Sequence, residues 1–255
     1  MQFQVTMFQK QYNTVIIGKE GQEQSSFTAA VEETFDLYVN NARIESILAS
    51  PAQLEQLAVG YLVCEGIVSA PSDITGVSID DQNRIFATIT GNDDFDLWFE
   101  IRSSGCIGVN REHNENLKVN SDMHFSPEVV RSSMHYIESE IYRITRGTHA
   151  ACLIDRDGGC VARAVDVGRH NAIDKAIGQA LMDGIVPGEH FILSTGRQPE
   201  GMVLKAARAG IPMVVTKTAP LNSGIEAARR TGICLVGFAT IDSMTVFAND
   251  WRLGE

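Results

Sequence analysis

The residues "IRSSGCIGVN", Ile101 to Asn110, hold a single cysteine, Cys106, among serines and glycines. Cysteine is usually a buried residue, yet Ser103, Ser104, Gly105 and Gly108 offer little apolar surface to bury it. The glycines permit unusual backbone angles. Arg102 and nearby N–H groups would favour the thiolate, which is the nucleophilic form. This spacing suits a thiol presented to a partner; the alternative is a small residue at a strand exit. The other four cysteines read differently. Cys64 and Cys234 lie in apolar runs, Cys160 follows a glycine turn, and Cys152 lies three residues from His149 on an expected strand. Three positions apart on a strand means opposite faces, so His149 and Cys152 are not expected to share a metal.

A second group with chemical potential is a set of polar strand ends. Ser194-Thr195-Gly196-Arg197, Thr216-Lys217-Thr218 and the run Phe238, Ala239, Thr240, Ile241, Asp242, Ser243 each follow an apolar stretch. Ligands collect beyond the carboxyl ends of strands in open α/β sheets. The first two ends lead into helix N-termini, where free N–H groups and the helix dipole favour anions. With Arg197 and Lys217 adding charge, the expected ligand bears phosphate; the alternative is ordinary turn chemistry. His170 and Asn222 are weaker candidates. His170 could cap or pack at a helix start, or hydrogen-bond a ligand.

The elements that must position these groups follow from pattern. "NTVIIG" reads as a strand, "TFDLYVNNARIESIL" as a hairpin turning at Asn40–Asn41, and "GVSIDDQNRIFATIT" as a hairpin turning at Asp81–Asn83. Ser50 and Pro51 are expected to open the helix that runs to Val68. After the polar stretch Asn110–His124, Ser126-Pro127-Glu128 opens an expected helix to about Arg143. The strands "THAACLID" and "CVARAVDV" turn at Asp157-Gly158-Gly159. A helix from about Arg169 to Asp183, capped by His170 or Asn171, follows. The rest alternates "HFILST", "EGMVLKAARAG", "PMVVTK", "SGIEAARRTG", "ICLVGFA" and "MTVFAN". That alternation predicts parallel pairing, with the opening hairpin as the antiparallel exception. Asp174 and Lys175 are expected to be structural. The expected architecture is α+β and α/β in two domains, 1–120 and 121–255.

Totals exclude several classes. Across 255 residues the net charge is −11, with 44% apolar residues. Residues 1–110 carry 15 Asp/Glu against 5 Lys/Arg, whereas residues 190–235 carry 6 Lys/Arg against 2 Asp/Glu. This is unsuited to general nucleic-acid binding and suits one anionic small ligand. No apolar run is long enough for a membrane helix. The first residues lack the layout of a secretory signal, so a cytoplasmic protein is expected. Five cysteines without a C-x-x-C pair argue against a disulfide framework or structural zinc.

Taken in order, "VEETFDLYVN", "LAVGYLVCEGIV", "SSGCIG", "GTHAACLID", "DVGRHNAIDKAIG" and "STGRQPEGMVLKAARAGIPMVVTKTAPLNSGIEAARRTGICLVGFA" resemble the FdhD family over most of the chain. The resemblance implies a sulfurtransferase that carries sulfur from a cysteine desulfurase to the molybdenum cofactor for formate dehydrogenase. It implies that the carrier is a persulfide on Cys106. It further implies a bis-guanine dinucleotide cofactor (bis-MGD), for which GDP is a surrogate, held by Phe238–Ser243. An N-terminal α+β roll, a C-terminal three-layer cytidine-deaminase-like domain and a homodimer are implied too. Many relatives have a second cysteine where this chain has Val109, which leaves a single-thiol carrier or, alternatively, a cofactor-binding chaperone or scaffold. "THAAC" has alanine where a zinc deaminase needs glutamate, and Pro-Cys-x-x-Cys is absent, so no catalytic zinc is expected.

Overall fold

The computed structural model describes residues 8–90, 98–101, 107–110 and 117–254, with 98–101 and 107–110 described by backbone alone. Cys106 lies outside the described residues. Its flanking strands, β7 (Trp98–Ile101) and β8 (Ile107–Asn110), pair antiparallel, Ile101 opposite Ile107.

The chain opens as a ribbon, β1 (Gln9–Gly18) against β2 (Gly21–Ala30). Only β1 is anticipated by the apolar run Val15–Ile17; β2 is polar and gains its strand character from pairing. A four-stranded sheet follows, ordered β4-β3-β6-β5, from β3 (Glu33–Val39), β4 (Ala42–Ala49), β5 (Ile74–Ile79) and β6 (Arg84–Ile89). Asn40 and Asn41 take φ of 46° and 70°, the left-handed pair that a two-residue hairpin turn requires. Asn40 then bridges to β6, since its Nδ2 donates to Ile89 O and its Oδ1 accepts from Ile89 N. Helix α1 (Leu54–Cys64) covers this sheet, burying Leu57 and Leu62 against Phe35, Leu37 and Ile85.

The helix does not begin at Ser50-Pro51 as expected. It begins after Gln53, and Ser50 is drawn into a distant contact instead. Ser50 N donates to Asp166 Oδ2, Ser50 Oγ accepts from Val167 N, and Ser50 O accepts from Lys175 Nζ. Ser126 does cap α2 (Pro127–Ser132), accepting from Glu128 N at 3.3 Å. The single helix expected to Arg143 is broken, however. A 3-10 turn spans Ser133–Ile137, Glu138 is extended, and Ser139 caps a new helix, α3 (Glu140–Thr145). The hydroxyls of Ser132 and Ser133 both bond back to Val129 O, competing with the helical ladder there.

The main sheet has six strands in the order β10-β9-β11-β12-β13-β14. These are β9 (His149–Ile154), β10 (Cys160–Asp166), β11 (Phe191–Ser194), β12 (Met213–Thr216), β13 (Cys234–Gly237) and β14 (Thr245–Ala248). Only β11, β12 and β13 are parallel neighbours; β9 against β11 and β13 against β14 are antiparallel. The expected parallel run therefore stops short at both sides, because hairpins supply the outer strands. Helices α4 (Arg169–Met182), α5 (Glu200–Arg208) and α6 (Asn222–Thr231) contribute Ile173, Ile177, Met202, Val203 and Ala227 to the core on one face of the sheet. The other face buries Phe125, Val130, Met134 and Ile137 against Cys152, Phe191, Val215 and Cys234.

The two sheets meet through α1 and α4, whose backbones nearly touch. A Cβ on Gly60 would lie 1.8 Å from Asp174 O, and one on Gly178 would lie 1.9 Å from Gln56 O. Buried ion pairs sit in this interface. Lys175 Nζ is 2.6 Å from Asp166, and Lys205 Nζ is 2.6 Å from Glu65 and 2.7 Å from Asp174. Asp174 and Lys175 are thus structural. The expected His170 or Asn171 cap is absent: Gly168 takes the N-cap position, and Asn171 Nδ2 donates instead to Asp166 and to Leu48 O.

Candidate functional site

The polar strand ends converge on one rim. At β11, Thr195 Oγ1 accepts from Ala150 N at 3.0 Å and contacts His149 Nδ1 at 3.0 Å. Gly196 N donates to Ser194 Oγ, and Gly196 O accepts from Gln198 Nε2 and Thr216 Oγ1. At β12, Thr216 Oγ1 contacts Thr218 Oγ1 and accepts from Thr218 N. At β13, Phe238 N donates to Thr218 O and Ala239 N to Thr216 O, both at 3.0 Å. Phe238 has φ 51° there, a left-handed conformation that turns the chain back across the rim. Thr240 Oγ1 then accepts from Asp242 N and Ser243 N, closing a tight polar loop. Three loops far apart in sequence are therefore stitched together by named bonds.

The structure places each expected residue as follows. Thr195 and Thr218 are half-buried within the stitched loops, and Arg197 and Lys217 are exposed. Phe238 and Ile241 are 53% and 70% exposed; Ala239 is buried. Thr240, Asp242 and Ser243 are exposed. Lys217 Nζ lies 5.6 Å over the Tyr142 ring of α3, a favourable cation–π placement. Asn222 is the exposed first residue of α6. His170 is buried, with its Cε1 3.8 Å from where a Gly201 Cβ would lie, so it packs beneath α5. Cys106 and the side chain of Val109 fall outside the described residues.

Two rim residues escaped the sequence reading. Arg169 opens α4 at the exit of β10, and a Cβ on Gly196 would come within 2.7 Å of its Cβ, so glycine is what lets the two loops close up. His149, at the start of β9, is the other; the sequence excluded it only as a metal partner of Cys152. Burial holds its pKa below 6.5, the positive charges of Arg169 and Lys217 push it the same way, and Asp166 opposes them. The imidazole is therefore neutral and sits in a positive field, able to donate or accept one hydrogen bond. The strand-exit rule that selected Thr195 and Lys217 also applies to Gly168-Arg169 and would have found the arginine.

This arrangement can hold an anion. Arg169, Lys217 and the rim hydroxyls supply donors, and Phe238 and Ile241 supply apolar surface of a kind that a base ring covers. Gln198 Oε1 and Thr148 Oγ1, next to these loops in sequence, are buried without a hydrogen-bond partner among the described residues. No group of three His, Cys, Asp or Glu suited to a metal occurs among the described residues. No described helix is long and apolar enough to cross a membrane.

The remaining thiols differ in environment. Cys64, Cys152 and Cys234 are fully buried. Burial pushes the Cys64 thiol well up and the Cys234 thiol up to about 12, which leaves both inert. Cys160 is half-buried.

Known proteins place the chain. The sulfur carrier protein FdhD of Methanothermobacter thermautotrophicus is 36% identical over 219 residues, covering 84% of this chain and 87% of that protein. The protein of the same name from Wolinella succinogenes is 33% identical over 232 residues, covering 87% and 81%. The crystal structure of a putative formate dehydrogenase accessory protein from Desulfotalea psychrophila shares the fold, with a TM-score of 0.83 at 24% identity over 97% of this chain and 100% of the other. The model of the FdhD/NarQ family matches residues 30–254. With that match spanning nearly all of the sheets and helices described above, the chain belongs to the FdhD/NarQ family.

Proposed function

We propose that this chain is a sulfurtransferase that carries sulfur as a persulfide on Cys106 and delivers it to a molybdenum cofactor during formate dehydrogenase maturation. Relatives at 36% and 33% identity are named sulfur carrier proteins, which supports the sulfur chemistry. The observation that carries the reading is the rim where Arg169, Lys217 and neutral His149 gather beside Thr195. Such a site suits the phosphates of bis-MGD, with GDP as surrogate, and exposed Phe238 and Ile241 suit its guanine.

In the first step the Cys106 thiolate attacks the outer sulfur of a desulfurase persulfide. A new S–S bond forms at Cys106, and the desulfurase thiolate leaves. In the second step the outer sulfur passes to the cofactor, which is the substrate here. The S–S bond at Cys106 breaks, Cys106 is released as a thiolate, and two equivalents of a low-molecular-weight thiol supply the two electrons that bring the sulfane sulfur to the sulfide level, leaving as their disulfide. Arg169 and Lys217 neutralise the phosphates, and Thr195 is held in place by Ala150 N for hydrogen bonding. Residues 1–120 and 121–255 are read as two domains, the second cytidine-deaminase-like, in a cytoplasmic homodimer.

Val109, in place of a second loop cysteine, favours one alternative, a chaperone that shelters the cofactor without covalent transfer. The test is to load the protein with a cysteine desulfurase and map the persulfide by mass spectrometry. Persulfide on Cys106, and no formate dehydrogenase activation by Cys106→Ala, is expected. Full activation by Cys106→Ala leaves the chaperone; absence of GDP binding in calorimetry removes the rim reading.

A further inference from the structure

Given the reading that the rim holds phosphate, we infer that Arg146, Tyr142 and Lys217 form a diphosphate subsite at its edge, where Arg146 distinguishes a nucleoside diphosphate from a monophosphate. Two segments far apart in sequence meet here. Tyr142 lies in α3, Arg146 follows that helix, and Lys217 follows β12. The Arg146 Cζ is 5.5 Å and the Lys217 Nζ 5.6 Å from the centre of the Tyr142 ring. Lys217 N donates to Ser194 O at 3.3 Å, which ties the lysine to the end of β11 where the rim begins.

The two cations lack acidic partners. The surface arginines Arg43, Arg84, Arg229 and Arg230 each pair with a carboxylate. Neither Arg146 nor Lys217 forms an ion pair among the described residues, in a chain with 32 acidic residues to 21 basic ones. Like charges gathered at one ring repel, and an anion between them turns that repulsion into attraction. They stand no more than about 11 Å apart, twice the ring distance. A diphosphate with a charge-assisted hydrogen bond of about 2.8 Å at either end reaches across that span. A monophosphate held between Arg169 and Lys217 leaves Arg146 without an anion.

The backbone at Arg146 is consistent with a binding role. Arg146 N donates to Tyr142 O, closing α3, and its φ is 56°. That left-handed end position ordinarily goes to glycine, because a Cβ there is strained. Gly147 N donates to Thr145 Oγ1, so the turn is also held on its far side. Glycine at 146 would therefore suit the turn better than arginine does, and would remove the guanidinium.

Calorimetry on the full chain with GDP, GMP and inorganic pyrophosphate tests this. Arg146→Gly should keep thermal unfolding within about 3 °C of wild type. It should weaken GDP and pyrophosphate binding about tenfold and leave GMP binding unchanged. Arg146→Lys should restore part of the affinity, and Arg143→Ala, on an exposed arginine of the same helix, should change nothing. Unchanged GDP affinity in Arg146→Gly, or an equal loss for GMP and GDP, would overturn the subsite while the rim reading stands. If wild type binds pyrophosphate about tenfold tighter than Arg146→Gly but does not bind GDP, the guanine reading falls and the subsite stands. If wild type binds neither, both fall.

Discussion

Replacing Lys205 by Met tests how the two sheets are joined. Lys205 is 1% exposed, and its Nζ lies 2.6 Å from Glu65 and 2.7 Å from Asp174, themselves 2% and 1% exposed. Met matches the aliphatic stem but removes the charge, leaving two carboxylates buried together. Arg208 Nη1 stands 3.8 Å from Glu65 and retains part of its compensation, so Asp174 bears most of the loss. Breaking one partner of a buried pair costs about 3–5 kcal/mol. For a chain of this size that is a fall in Tm of roughly 10 °C. The sign with pH is distinctive. Uncompensated buried carboxylates have folded-state pKa values above their unfolded ones, so the folded variant binds protons more readily. Its deficit should be full at pH 7.5 and narrow as pH falls through those raised values. Urea unfolding followed by circular dichroism at pH 7.5 and 5.5 measures both, and adding Glu65→Gln should return part of the loss. A cost under about 1 kcal/mol at pH 7.5, or a deficit that stays constant with pH, would refute the account of a cation holding two sheets together.

Gly60→Ala should destabilise the fold by about 3 kcal/mol, because its Cβ would lie 1.8 Å from Asp174 O and neither backbone can yield without separating α1 from α4; chemical denaturation measures it. Arg169→Ala and Lys217→Ala should each weaken GDP binding about tenfold in calorimetry, with a loss of salt sensitivity, whereas Arg229→Ala, on an exposed arginine paired with Glu226, should leave it unchanged. His149 is held below its ordinary pKa in the folded protein, so the unfolded chain binds its proton more readily. Its contribution to stability is present above pH 6.5 and is lost as pH falls towards the folded value. His149→Gln should flatten that acid-side loss, and in the wild type GDP should raise the His149 titration midpoint observed by NMR.

Much of the secondary structure was legible because it is governed by local rules. The Asn40–Asn41 turn, the Ser126-Pro127 helix start, the Asp157-Gly158-Gly159 hairpin and the β11–α5–β12–α6–β13 alternation all follow from turn chemistry, caps and periodicity over a few residues. The rim was partly legible for the same reason, since polar residues at strand ends mark where such sheets bind ligands. The failures share one cause, which is partners far away in the chain. Ser50 looks like a helix cap, but its groups bond to Asp166, Val167 and Lys175, more than 110 positions distant. β2 has no apolar alternation to announce it and exists because β1 lies beside it.

The sequence by itself determined that this chain has an acidic first part, a basic later segment, one cysteine in a glycine–serine stretch and a run of phosphate-suited strand ends. Tertiary structure alone decided that Arg169 and His149 join that rim and that Lys205 binds two carboxylates from different elements. Composition and short-range spacing record what a residue can do. Charge compensation, burial and thiol reactivity depend on which atoms lie within a few ångströms, and strand order and helix packing set those distances.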